Sequence, residues 1–128
     1  MVVFDSWALL AFLADEPAAE RIESVWLDEG AAISSINLGE VLYIRIRAQG
    51  EESARADIQG VSAALEVIDP DWPLVVTAAS IKADGGLSYA DAFCIATALE
   101  RGAPLWTGDP EILARAGALP CDVVDLRS

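Results

Sequence analysis

Four carboxylates occupy positions where acids could do chemistry: Asp5, Glu40, Asp91 and Asp109. Asp5 closes the apolar run Val2-Val3-Phe4. Glu40 falls in the first turn of a helix that follows a second strand-like run, and Asp91 in the first turn of a helix over Ser88 to Arg101. Asp109 follows Leu105-Trp106-Thr107 by two residues. If these segments fold as strands and helices of one sheet, all four acids face the same edge. Carboxylates gathered in this way repel, by about 4 kcal/mol for a pair at 4 Å in an effective dielectric of 20. Such a cluster persists when cations neutralise it or when protons are retained. The chain has no histidine, so the donors are oxygens and the matching ion is hard, Mg²⁺ or Mn²⁺. That combination suits metal-assisted phosphoryl transfer. The missing histidine also excludes a Ser-His-Asp triad, a Cys-His dyad and metal-free histidine acid–base cleavage.

Each acid also has a simpler structural reading. Glu40 could pair with Asn37, and Asp91 with Ser88, in a capping box. Asp109 before Pro110 is a good N-cap followed by a good first helical residue, and Asp5 could be a turn residue ahead of Ser6. Capping explains acids at helix starts. It does not explain four acids converging with no lysine or arginine beside them in the sequence.

The positioning elements can be read from the hydrophobic pattern. Strand-like runs cover Val2–Phe4, Ala31–Ser34, Glu66–Ile68, Leu105–Thr107 and Asp122–Leu126. Helix patterns alternate with them: Ser6 to Ala14, Pro17 to Glu29, a segment capped by Ser35 or Asn37 and running to Gln49, and a stripe of Ala54, Ile58, Val61 and Leu65. They continue with Leu74 to Ala83, Ser88 to Arg101 and Pro110 to Ala116. Short, continuously apolar strands alternating with helices indicate a parallel sheet covered on both faces. Ligands of such sheets bind at the carboxyl ends of the strands, near the point where strand order reverses.

Composition narrows the function classes. The 128 residues are 54% hydrophobic, which argues against disorder. A single compact domain of this size exposes roughly 6,500 Å². With 21 acids against 8 basic residues the formal charge is −13, which opposes a basic nucleic-acid channel and adhesion to anionic membranes. Cys94 and Cys121 form no metal or redox motif. The apolar run Ser6 to Ala14 is too short to span a bilayer. The chain therefore reads as a cytoplasmic protein without membrane contact.

The sequence resembles the PIN-domain ribonucleases, and within them the VapC-type toxins of toxin–antitoxin pairs. The resemblance is carried by V-V-F-D-S, I-S-S-I-N-L-G-E-V, G-G-L-S-Y-A-D-A-F-C-I-A-T-A-L and L-W-T-G-D-P, in that order across the chain. It implies one PIN domain over residues 1–128, a three-layer α/β/α architecture around a short-stranded parallel sheet. It implies Mg²⁺ or Mn²⁺ dependence, with Asp5, Glu40, Asp91 and Asp109 as catalytic metal ligands and Ser6 and Thr107 orienting them. The implied activity is hydrolysis of RNA. The implied partners are a second copy of the chain and a VapB-type antitoxin that lays a helix into an apolar groove.

The segment from Asn37 to Gln49 carries more apolar surface than one buried face needs, and is the candidate for that partner contact; a deeply buried core helix is the alternative. Arg45 and Arg47 on it could meet RNA phosphates or acidic antitoxin residues, or simply form a solvated face. Two other classes remain open: a catalytically silent PIN-like binding module, and an acidic receiver-type signalling domain. The second is disfavoured by Ser6 after Asp5 and by the position of the lone lysine, Lys82.

Overall fold

The computed structural model describes residues 1–127; Ser128, the last residue of the domain read from the sequence, lies outside them. The chain opens with β1 (Val2–Phe4), α1 (Ser6–Leu13) and α2 (Ala19–Glu29). β2 (Ala31–Ser34), α3 (Ser35–Gln49), α4 (Glu51–Ser62) and β3 (Glu66–Ile68) follow. α5 (Trp72–Ala83), α6 (Tyr89–Arg101), β4 (Leu105–Thr107), α7 (Pro110–Leu113), a 3-10 turn (Ala116–Ala118) and β5 (Val123–Asp125) complete it. The strands form one parallel sheet in the order β3-β2-β1-β4-β5. Receiver-type domains use the order 2-1-3-4-5, so the strand order separates this chain from that class.

Side chains alternate across each strand, and this splits the core into two layers. Val2, Phe4, Ala31 and Ile33 face α1 and α2, together with Val41 of α3 and Ile58 of α4. Val3, Ala32, Ile68 and Leu105 face the opposite way, onto Cys94, Ile95 and Ala98 of α6 and onto Ile112 of α7. The sheet is thus sandwiched, giving three layers. The accessible surface, 6519 Å², matches that of a compact monomer of this length. Among the described residues no helix is long and apolar enough to cross a membrane.

Local differences from the sequence reading have local causes. Ser34, not Ser35 or Asn37, caps α3 through its hydroxyl to the Ile36 N–H. Glu40 therefore falls in the second turn of α3, and the Asn37 capping box does not form. The short helix read over Pro110 to Ala116 ends at Leu113, and the chain turns through the 3-10 segment instead. Leu65 of the α4 stripe lies past the helix end, yet its side chain is still buried in the first core layer.

Candidate active site

Chain order reverses between β1 and β4, which lie side by side. Asp5 leaves the end of β1 and Thr107 ends β4, so the two residues flank the crevice where open parallel sheets bind ligands. Asp5 is buried and caps α1, its Oδ1 accepting from the Ala8 N–H at 2.9 Å. Its Oδ2 accepts a hydrogen bond from the Thr107 hydroxyl. Thr107 Oγ1 in turn accepts from the Asp109 N–H at 2.9 Å. The ends of two strands and the start of α7 are thereby linked through one hydroxyl.

The capping readings hold for Asp91 and Asp109; Asp5, read as a turn residue, is itself the cap of α1. Asp91 is the third residue of α6 and completes a capping box, its Oδ2 accepting from the Ser88 N–H while Ser88 Oγ accepts from the Asp91 N–H. Asp109 caps α7, its Oδ1 accepting from the N–H groups of Glu111 and Ile112. Capping and convergence are compatible because three helices begin at this edge. Their N-terminal N–H groups and dipoles favour negative charge, which partly offsets the repulsion among the acids.

That repulsion persists in the ionisation of the site. Burial, with contributions from the Asp109 and Asp91 charges, pushes Asp5 up to about 7 against the lowering effect of its hydrogen bonds. Asp91 is raised by burial first and then by Asp109, with Glu40 adding to the effect. These mutual effects bring Asp5, Asp91, Asp109 and Glu40 into one electrostatic group. Carboxylate oxygens of Asp91, Asp109 and Glu111 lie within 4.8 Å of one another. Glu111 was missed in the sequence because a glutamate in the first turn of a short helix looks like an ordinary dipole partner.

No cation of the protein pairs with this group among the described residues. Arg45 pairs with Asp57, Arg55 with Glu51, Arg101 with Glu66 and Arg127 with Asp125. Arg21 sits over the Trp106 ring, Arg47 over the Tyr43 ring, and Lys82 donates to the Leu87 carbonyl. The Arg115 guanidinium lies against Gly86. Both thiols are held protonated by burial, Cys121 pushed up to about 11 and Cys94 well above the usual thiol range. The donor set is therefore carboxylate oxygen alone, which fits a hard divalent ion such as Mg²⁺ or Mn²⁺.

Ser6 and Asn37 take roles other than those read from the sequence. The Ser6 hydroxyl hydrogen-bonds to Asn37 and not to a carboxylate: it donates to the Asn37 carbonyl and accepts from the Asn37 side-chain amide. Asn37 is buried, and its amide also reaches the Ala90 carbonyl at 3.1 Å. It ties the first turns of α1, α3 and α6 together, which sequence spacing could not show. Gly108, between Thr107 and Asp109, is pressed against Trp7: a Cβ there would meet the indole at 2.4 Å. Trp7 also lines a groove of about 620 Å³ with Leu10, Ile44, Arg45 and Ala48. On α3 only Asn37 and Val41 are buried, while Ile36 and Tyr43 are exposed. It is not the deeply buried helix that was the alternative.

Three solved structures share this fold over almost the whole chain. A toxin–antitoxin complex from Klebsiella pneumoniae matches at 19% identity and a TM-score of 0.76, covering 100% of this chain and 99% of the other. DNA-bound VapBC from Salmonella typhimurium matches at 20% and 0.78, covering 98% and 99%. VapC20 of Mycobacterium tuberculosis, described as a Sarcin-Ricin loop cleaving toxin, matches at 17% and 0.72, covering 89% and 94%. No curated protein sequence matches this one. The family model for the PIN domain matches residues 2–119, from the first strand through the loop that carries Asp109 and beyond. With so much of its length accounted for by that one model, the chain belongs to the PIN domain family.

Proposed function

We propose that this protein is a metal-dependent endoribonuclease, the toxin of a VapBC-type toxin–antitoxin pair. The carrying observation is the convergence of Asp5, Asp91 and Asp109 at the β1/β4 crevice, electrostatically coupled to one another and unpaired with any basic side chain. Repulsion of this kind is relieved by a divalent cation. Asp5, Glu40, Asp91 and Asp109 would hold Mg²⁺ or Mn²⁺. When bound, the ion would supply Lewis acidity to a phosphodiester and lower the pKa of a bound water.

The residues of the chain do the rest. Thr107 fixes the orientation of Asp5 and the start of α7 at once. Ser88 and the α6 N-terminus hold the Asp91 carboxylate on one oxygen. With no basic channel, RNA affinity depends on the metal, and phosphate contacts by lysine and arginine contribute little. RNA as substrate is supported by VapC20, the toxin of similar fold described as cleaving the Sarcin-Ricin loop.

The partner reading rests on the apolar groove between α1 and α3. Its neighbours of like fold were solved as complexes with antitoxins. We assign the groove beside Trp7 and Ile44 to an antitoxin helix, with Arg45 at its wall available to an acidic antitoxin residue. Arg47 lies against Tyr43 on the exposed side of α3, where it can extend that contact. A homodimer is the expected free form, through the face on α5 and α6 that exposes Trp72, Val76 and Leu99. A cytoplasmic location suits both an RNA substrate and free thiols.

Incubation of the purified protein with total RNA tests the activity. Cleavage should require Mg²⁺ or Mn²⁺, stop with EDTA and be abolished by Asp91→Asn in a folded protein. Absence of cleavage of any RNA with either ion would favour the silent binding module. A short reading frame beside this one, co-purifying with the protein and blocking cleavage, would identify the antitoxin.

A further inference from the structure

We propose that Arg115, seated on Gly86, is an RNA phosphate contact on the α6–α7 side of the crevice. The inference rests on the ribonuclease reading above and adds the side chain that meets the substrate strand beside the acids. Among the described residues, every other basic side chain is committed. Arg45, Arg55, Arg101 and Arg127 pair with acids. Arg21 and Arg47 lie over aromatic rings, and Lys82 donates to the Leu87 carbonyl. Arg115 is exposed, and its guanidinium forms no ion pair and no hydrogen bond with the described residues. In a chain with 21 acids and 8 basic residues, an arginine stays unpaired only if something holds it away from the acids.

Gly86 does the holding. A Cβ built there would lie 1.8 Å from Arg115 Nη2 and 2.1 Å from its Cζ, so the guanidinium fills the space that any other residue's side chain would take. Leu87 and Ile112 pack in the same core layer, which brings the end of α7 against this loop. Lys82 of α5 braces the loop through the Leu87 carbonyl. The seat is two residues from Ser88, at most about 7 Å of chain, and the Ser88 N–H holds the Asp91 carboxylate. A strand whose scissile phosphate sits among Asp5, Asp91 and Asp109 passes this rim. The planar fork of an arginine suits a phosphate and can bind two of its oxygens at once. The apolar groove assigned to the antitoxin lies elsewhere, between α1 and α3, so the position favours the RNA strand as partner. The metal still supplies most of the affinity, and Arg115 adds one contact beside it.

Cleavage kinetics on a labelled RNA oligonucleotide, spanning a site mapped in total RNA, test this at several salt concentrations. Arg115→Ala should raise KM about fivefold with kcat unchanged. It should also lower the slope of log KM against log salt by about 0.7, the value for one phosphate contact on a single strand. Arg115→Lys keeps the charge and the slope but loses the fork, and its KM should fall between the two. Gly86→Ala displaces the guanidinium and should reproduce the rise in KM. Gly85→Ala carries the same backbone strain, φ +86° against +84°, with open space around its Cβ, and should keep the parent KM. Parent-like KM and salt slope in Arg115→Ala would overturn the proposal; weaker binding of a co-purifying antitoxin by that same variant would then assign the arginine to that partner. Equal KM in the two glycine variants would overturn the role of the seat. Failure of the parent protein to cleave any RNA would overturn the ribonuclease reading, and this inference with it.

Discussion

The Thr107 hydroxyl donates to Asp5 across 102 residues of sequence, and the same oxygen accepts the Asp109 N–H. One buried side chain thereby couples the ends of the two central strands to the loop bearing Asp109. Thr107→Val keeps the shape and removes both bonds. It should cost about 1–3 kcal/mol of stability, the range for leaving a buried polar group unsatisfied, and raise the Asp5 pKa further by removing a bond that lowers it. Thr107→Ser should restore most of both. Urea unfolding together with NMR titration of the Asp5 carboxyl would measure the two effects.

Asp5 makes the metal-free protein sensitive to pH. Its folded pKa is about 7 against 3.8 for an unperturbed aspartate. Between those values the folded state holds a proton that the unfolded state has released, so stability falls as pH rises from about 4 to about 7. The full penalty, on the order of 4 kcal/mol, is in place above pH 7. Asp91, also raised, acts in the same direction. In EDTA, Asp5→Asn should therefore flatten this slope and unfold at a higher urea concentration than the parent at pH 8. Equal midpoints at pH 8 would contradict this.

Gly108 has no room for a side chain. Gly108→Ala places a methyl where the Trp7 indole stands, so either the indole or the Thr107–Asp109 loop must move. Overpacking of this kind costs about 1–3 kcal/mol. Metal affinity should fall with it, because the loop carries Asp109. Trp7→Leu in the Gly108→Ala background makes space and should recover affinity; a thermal melt and Mn²⁺ binding on the single and double variants would show whether it does.

Asn37 is the buried tie between three helix starts. Asn37→Ala leaves the Ser6 hydroxyl and the Ala90 carbonyl without their amide donor. About 1–3 kcal/mol of stability should be lost. Ala90 precedes Asp91, so RNA cleavage should drop even where the variant remains folded. Cleavage assayed at 10 °C below its melting point would separate the two effects.

Much of this was readable along the chain because it is local. Glu66–Ile68 and Leu105–Thr107 are marked by apolar runs and stopped by prolines or glycines within a few residues. Ser88 and Asp91, or Asp109 and Pro110, announce helix starts because a cap and its N–H groups are neighbours in sequence. The absence of histidine narrowed the chemistry to carboxylate and metal before any fold was known. Other features depend on which distant segments meet. Ser6 looked like a carboxylate partner but turns to Asn37, because α1 and α3 pack side by side and bring a buried amide to it. Glu111 came close to Asp91 only when α6 carried Asp91 across to the start of α7. Asp5 acquired its raised pKa from burial under two layers of helices and from acids far away in the chain. Caps and strands arise from interactions over a few residues, whereas a shared cation site and a shifted pKa are sums over charges and dielectric boundaries that exist only after the sheet has closed.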